Sequence, residues 1–268
     1  MNNIILGGYI SVRTALEAKS RQVYKLVLDK ERYDKINSSG YHAAEKRQYD
    51  ILSKYNVPRE FVSKNEFNDI CDNPSSGGIA ALVGDRIYSA VEDIINQKDA
   101  YIVILDGLED PFNFGFTLRT LYAAGVDGVI LQDRSFHASE DIVVRSSAGA
   151  FELLKIALTD NLIDVCKKAK EKGFMLISTE KSNKAKDIYR VRIKRPLCLV
   201  FGGEKRGISA GITELSDLVI KLKYPRECHF SLSATNAVSI ISFELARRIA
   251  GSPNNVRNIS DNNRFRNT

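Results

Sequence analysis

A chain of 268 residues that is 44% hydrophobic can bury a real core, enough for one large or two medium domains. No apolar run approaches the roughly 18 residues a membrane helix needs, and Met1 to Ile10 lacks the basic start and long apolar stretch of a secretory leader, so a cytoplasmic protein without membrane contact is expected. The net charge of +6 favours a polyanionic partner, and its distribution is uneven: residues 1 to 95 carry 13 Lys+Arg and 13 Asp+Glu, and residues 96 to 268 carry 26 and 20. A nucleic-acid backbone is therefore expected mainly on the second half, with simple solubility as the plainer reading of so small a surplus.

In chain order, Val12 to Ser20 reads as a helix, Tyr24 to Leu28 as a strand, Tyr41 to Tyr55 as a longer amphipathic helix, and Glu60 to Ser63 and Gly78 to Val83 as strands. These make a small α/β sandwich. Asn73-Pro74-Ser75-Ser76-Gly77-Gly78 is a loop, and Ile87 to Asp99 reads as a link to the second half of the chain. From Tyr101 the rhythm changes to buried strands alternating with helices, at Tyr101 to Leu105, Gly128 to Leu131, Phe174 to Ser178 and Leu197 to Phe201. Runs apolar on both faces imply a parallel sheet covered by helices. Gly125 fits the glycine that ends a helix, and Ser252 to Thr268 has almost nothing to bury and is expected to be disordered.

Cys71, Cys166, Cys198 and Cys228 stand singly, without the C-x-x-C spacing of zinc or redox chemistry, and read as packing residues; His42, His137 and His229 are equally dispersed. No metal site is expected.

Three segments carry chemistry. In Asp106-Gly107-Leu108-Glu109-Asp110-Pro111-Phe112-Asn113-Phe114-Gly115-Phe116-Thr117-Leu118-Arg119-Thr120, an amide, a glycine and an arginine sit at a strand-to-helix turn, where backbone amides face an anionic ligand. Neither the dinucleotide glycine pattern nor a P-loop is present. Asn113 reads equally as a helix N-cap. In the second segment, Gly202-Gly203-Glu204-Lys205-Arg206-Gly207 places glycines around one carboxylate, so a ligand can approach bare backbone. Strand-glycine turns are common in α/β folds, and Glu204 could equally be an ion-pair partner of Lys205 or Arg206. The third, His229-Phe230-Ser231-Leu232-Ser233-Ala234-Thr235-Asn236-Ala237-Val238-Ser239, leads into a helix; its hydroxyls are capping residues first, while Thr235 and Ser239 also permit tight helix packing.

Together these segments resemble the SpoU/TrmH family of RNA 2'-O-ribose methyltransferases, of the SPOUT superfamily. The pattern D-x-x-x-D-P-x-N-x-G-x-x-x-R-T is matched by Asp106, Asp110, Pro111, Asn113, Gly115, Arg119 and Thr120. Ser147-Ala148-Gly149-Ala150 resembles the S-A-G-A element, Gly202-Gly203-Glu204 with Gly207 the second motif, and Ser231-Leu232 the start of the third. The resemblance implies a deep trefoil knot, an exception to the rule against threaded chains. It implies S-adenosylmethionine as cofactor, held at Gly202, Gly203, Gly207, Leu222, Leu232, Ser233 and Asn236, with Asn113, Arg119, Glu204 and Ser231 as the catalytic set. It also implies an RNA partner and a homodimer whose second copy completes the site. One position departs from the family: its third motif reads S-L-N, where this chain has Ser233, a shorter group with fewer hydrogen-bonding atoms. Asn236, one helical turn on, is expected to face the same side.

The stretch Ser76-Gly77-Gly78-Ile79-Ala80-Ala81-Leu82-Val83 is similar to the end of the RNA-binding domain attached to ribosomal-RNA members. The expected division is residues 1–95 for RNA binding, 98–251 for methyl transfer and 252–268 as a tail. The chemistry would be in-line displacement at the methyl group by the ribose 2'-oxygen. The family scheme makes the arginine a base, but a guanidinium holds its proton too tightly for that; Arg119 is expected instead to grip phosphate and stabilise the forming alkoxide. Ribosomal RNA is the expected target. The alternatives are the same chemistry on transfer RNA, a knotted RNA-binding protein without activity, motivated by Ser233, and an unrelated phosphate-binding α/β enzyme.

Overall fold

The computed structural model describes residues 4–38, 43–133, 140–182, 184–203, 206–227 and 229–250. The expectations for Cys228, Glu204 and the 252–268 tail lie outside the described residues.

The first part of the chain runs β1 (Ile4–Gly7), α1 (Tyr9–Ala18), β2 (Val23–Asp29), α2 (Lys30–Ser38), α3 (Ala43–Leu52), β3 (Arg59–Val62), α4 (Lys64–Ile70) and β4 (Ile79–Val83). Its strands form a four-stranded sheet in the order β1-β4-β2-β3, with β4 antiparallel to both neighbours. The link 87–99 does more than connect. It carries the short helix α5 (Val91–Ile95), whose Ile94 and Ile95 are buried under the second sheet.

The second part runs β5 (Tyr101–Asp106), α6 (Pro111–Ala123), β6 (Gly128–Gln132), α7 (Glu140–Ser146), α8 (Ala150–Leu153), β7 (Ile156–Thr159), α9 (Leu162–Glu171), β8 (Met175–Thr179), β9 (Lys186–Asp187), β10 (Leu197–Gly202), α10 (Ala210–Leu215), β11 (Leu218–Lys221) and α11 (Ala234–Ala250). Its seven strands are parallel throughout, in the order β7-β6-β5-β10-β8-β11-β9. Side chains alternate between two cores, as a pleat requires. Tyr101, Val103 and Leu105 of β5, with Leu197, Leu199 and Phe201 of β10, face α6, α7 and α11. Ile102 and Ile104, with Cys198 and Val200, face α5, α9 and α10. Burial pushes the Cys166 thiol up to about 12, with the charge of Asp106 adding, and raises that of Cys198, so both cysteines act as packing groups. No helix among the described residues is long and apolar enough to cross a membrane.

The two sheets share one apolar cluster, and a buried set of charges lies between them. Arg21 Nη1 is 2.8 Å from Glu140 Oε2, and its Nη2 faces Glu152 Oε1 at 2.9 Å as an ion pair, with none of the three side chains more than 2% exposed. Ser20 donates to the same Glu152 carboxylate. Burial opposes the charge on Arg21, but the two carboxylates outweigh it and hold its pKa above the ordinary value. Beside it, Arg86 stacks over the Phe151 ring at 4.7 Å and donates to the carbonyls of Phe151 and Leu154 at 2.9 and 2.8 Å.

Candidate active site

Open α/β sheets place ligands beyond the C-terminal ends of their strands, and the three motif segments meet at that edge. After β5, the Asp110 carboxylate accepts from the Asn113 amide at 2.8 Å and Pro111 takes the first helical position. Asp110 is therefore the N-cap of α6, which corrects the capping reading of Asn113. The Asn113 side chain reaches across to the third segment instead, where its Oδ1 accepts from Thr235 Oγ1 at 3.4 Å. One face further along the same helix pair, Thr120 Oγ1 meets Ser239 Oγ at 3.3 Å. Gly115 is where α6 closes on α7, since a Cβ there would overlap the Ser146 hydroxyl.

The glycine loop after β10 is fitted against the first segment. Gly203 N donates to the Asp106 carbonyl at 2.6 Å, and Gly207 N returns to the Gly203 carbonyl at 3.0 Å. Ser209 N donates to Asp106 Oδ2 at 3.2 Å. A Cβ on Gly203 would overlap the Gly107 carbonyl, and one on Gly202 the backbone of Gly207 and Ile208. The backbone is bare here because two chain segments occupy the space of a side chain.

Two residues that carry no signal in the sequence anchor the third segment. The Tyr224 hydroxyl accepts from Leu232 N at 3.1 Å. Lys181 Nζ donates to the Phe230 carbonyl and to Ser231 Oγ at 3.3 and 3.4 Å, and lies 5.7 Å from the centre of the Tyr224 ring. Lys181 follows β8 and Tyr224 follows β11, so the loops after β8, β10 and β11, three adjacent strands, converge. Ser233 Oγ accepts from Asn236 N at 3.3 Å, so Ser233, and not Ser231, caps α11. Serine and asparagine are comparable at that position, which accounts locally for Ser233.

A cavity of about 510 Å³ opens between the glycine loop and the first segment, lined by Asp106, Asp110, Asn113, Gln132, Gly203 and Arg206. Arg206, which the sequence offers only as a partner for Glu204, brings a cation into this space. Asn113, Gly202, Gly203, Gly207, Leu222, Ser231, Leu232 and Ser233 thus gather at one edge, while Asn236 is exposed on the first turn of α11. Arg119 does not share the face of Asn113. It lies about a third of a turn round α6, on the exposed face that also carries Phe112 and Phe116. Glu204 lies outside the described residues.

A parallel sheet carrying these loops is the fold of the SpoU methyltransferases. AviRb from Streptomyces viridochromogenes, solved in complex with the cofactor AdoMet, superposes with a TM-score of 0.73 at 20% identity, over 92% of this chain and 90% of its own. An AdoMet-bound rRNA methyltransferase from Sinorhizobium meliloti gives 0.72 at 20% identity, over 92% and 87%. The model of the SpoU rRNA methylase family matches residues 100–243. A Staphylococcus haemolyticus protein named for the TrmH family of tRNA/rRNA methyltransferases is 35% identical over 193 residues, 70% of this chain and 76% of its own. The chain belongs to the SpoU/TrmH family of RNA methyltransferases.

Proposed function

We propose that this chain transfers the methyl group of S-adenosylmethionine to a ribose 2'-hydroxyl of RNA, with ribosomal RNA as the substrate class. The observation that carries the reading is the Asn113–Thr235 contact, which ties the first motif to the third. The residues fit the cofactor. Glycine at 202 and 203 lets the loop after β10 close on Gly107, Gly207 and Ile208 and so fixes its backbone groups at the strand ends, and among the described residues the Leu232 amide donates to a side-chain hydroxyl, that of Tyr224, which a ligand acceptor can replace. Gly202, Gly203, Gly207, Leu222 and Leu232 would hold it, with Ser233 and Asn236 beside them. When bound, S-adenosylmethionine supplies a methyl group on a positively charged sulfur. A trefoil knot through the segments around Gly202, Leu222 and Leu232 is part of the same proposal.

The cavity on the Asn113 side lies within the size range of small-ligand sites and would take the target nucleotide, with Asn113 orienting the ribose and Arg206 facing phosphate. Ser231 and Glu204 would fix the geometry of their loops. Arg119 would grip a phosphate through both guanidinium arms and stabilise negative charge on the 2'-oxygen, while the proton leaves to phosphate or water. Because Arg119 shares a face with Phe112 and Phe116, it would act in the site of a second copy. The side chains of Phe112, Phe116, Ile240 and Phe243 are 39 to 51% exposed on α6 and α11, an apolar surface that a homodimer would cover.

Support for ribosomal RNA is that the likeness to the Sinorhizobium meliloti rRNA methyltransferase extends over 92% of the chain, and so into residues 1–95, the proposed RNA-binding domain that precedes the methyltransferase domain of 98–251. The test is incubation with total RNA and S-adenosylmethionine carrying a labelled methyl group, followed by nuclease digestion and mass spectrometry. Label in 2'-O-methyl nucleosides of ribosomal RNA is expected. Label on bases, or none from folded protein, overturns the reading.

A further inference from the structure

The connection from β9 to β10 begins level with the C-terminal end of β11, because Asp187 pairs with Lys221, and it ends where Leu197 comes into register with Tyr101 at the start of β5. It therefore descends the height of the sheet, about 20 Å for strands of this length, starting beside the loops of the active site. Its inner side is apolar. Ile188 is buried, and Val191 and Ile193 pack on the cluster that includes Val238 and Leu245 of α11. Arg248 Nη1 fastens it to that helix by donating to the Val191 carbonyl at 2.8 Å.

Its outer side is cationic. Alternation turns Arg190, Arg192 and Lys194 to solvent, and Tyr189 before them is 52% exposed. From 184 to 194 the chain carries Lys184, Lys186, Arg190, Arg192 and Lys194 against the single carboxylate of Asp187. Asp187 stands 3.9 Å from Arg190, which stays 80% exposed. Asp217, within electrostatic reach of Lys194, is ion-paired with Lys170 at 2.7 Å. Arg195 is excluded from the set because Asp127 and Asp99 hold it at 2.9 and 3.7 Å.

We propose that this strip is a second RNA-contact surface, on which the phosphates of a single strand run along Arg190, Arg192 and Lys194 away from the active site while a base stacks on Tyr189. Arg190 ends a 3-10 turn over Ile188–Arg190 and Val191 after it is extended; alternate residues about an extended position stand about 6.6 Å apart, close to two stacked-nucleotide rises of about 3.4 Å, so Arg190 and Arg192 keep step with the backbone. An aromatic ring beside a cationic track is how sequence-tolerant single-strand binding is built. The proposal rests on the reading of the active site as acting on RNA.

The test is titration of a short fluorescent RNA of mixed sequence at several salt concentrations. The triple variant Arg190→Glu, Arg192→Glu, Lys194→Glu should bind roughly tenfold or more weakly and lose about two from the slope of log affinity against log salt, at about 0.7 for each phosphate contact on a single strand. Tyr189→Ala should weaken binding roughly fivefold or more and leave the slope alone. Both variants should bind S-adenosylmethionine as the unaltered protein does, which also reports folding. Unchanged RNA affinity and slope in the triple variant overturn the strip and leave the methyltransferase reading intact. Strip-dependent RNA binding without any cofactor binding supports the strip and sinks the methyltransferase reading. If vesicles containing phosphatidylserine capture the protein as well as RNA does, with the same dependence on the strip, the RNA proposal falls.

Discussion

Thr235 and Asn113 are 122 positions apart in the chain, yet their side chains meet at 3.4 Å where α6 and α11 begin. The contact sets the direction of the Asn113 amide at the edge of the cavity. Thr235→Val keeps the shape and removes the donor. It should lower the turnover number roughly fivefold, the worth of one hydrogen bond, and leave cofactor affinity unchanged; Asn113→Ala should cost roughly a hundredfold. Steady-state kinetics beside calorimetry decide this, and a Thr235→Val enzyme with full turnover would show that the contact does not hold Asn113.

Arg119 gives a test of the composite site. Asn113→Ala and Arg119→Ala should each leave about a hundredth of normal activity or less. If the two residues serve one site from different copies, refolding an equal mixture should restore about a quarter of normal activity, because half the dimers are mixed and one of their two sites is intact. No recovery on mixing, with mixed dimers verified, would place both residues in a single chain.

The glycine loop predicts an order of damage. Gly203→Ala drives a methyl group into the Gly107 carbonyl, and neither backbone segment can yield without moving the motif. Gly207→Ala meets nothing within 4 Å among the described residues and is strained through its φ of +66°, a cost of about 1–2 kcal/mol. Gly203→Ala should therefore abolish cofactor binding, while Gly207→Ala should retain it with a small drop in melting temperature. The reverse order would show that Gly203 is not wedged as described.

The buried charges between the sheets make a prediction about stability. Glu152→Gln leaves Arg21 with one carboxylate in a dry environment and should cost about 3–5 kcal/mol. Arg21→Met combined with Glu140→Gln and Glu152→Gln removes all three charges and should recover most of that loss in denaturant unfolding. A triple variant no better than Glu152→Gln would count against a desolvation origin.

Glu244 gives a pH dependence. Hydrogen bonding to Arg247 first, and then to Arg248, lowers its carboxyl from 4.5 to about 2. The folded state binds this proton more weakly than the unfolded state, so the stabilisation is whole above about pH 4.5 and is lost as pH falls toward about 2. The melting-temperature difference between the unaltered protein and Glu244→Gln should be flat above about pH 5 and shrink below it. A difference that grows on acidification would reverse the sign and refute the assignment.

The parallel sheet was legible because β5 and β10 are apolar on both faces, and the end of α6 because Gly125 takes a φ of 77° just beyond it. Other elements left no trace of that kind. Among α2 residues only Ile36 is buried, so there is no apolar stripe to read. Helix α5 spans five residues and β11 four, too few to show a period, while the two residues of β9 are a strand only through pairing with β11. At the site, Asn113 and Gly203 stood out through motif spacing. Lys181, Tyr224 and Arg206 did not, because a lone lysine, tyrosine or arginine acquires meaning only when folding brings its loop beside another. The run of hydroxyls at 231–235 does not reveal which of its members caps α11, and the cap is Ser233, two positions beyond Ser231.

With Arg21 locked between Glu140 and Glu152, and Arg86 stacked on Phe151 beside it, parting the two sheets at this point would hydrate several charges at once. An RNA held on both sheets would then meet the strand-end loops at one set offset, and selection among RNAs would fall to their shape rather than to bending of the protein.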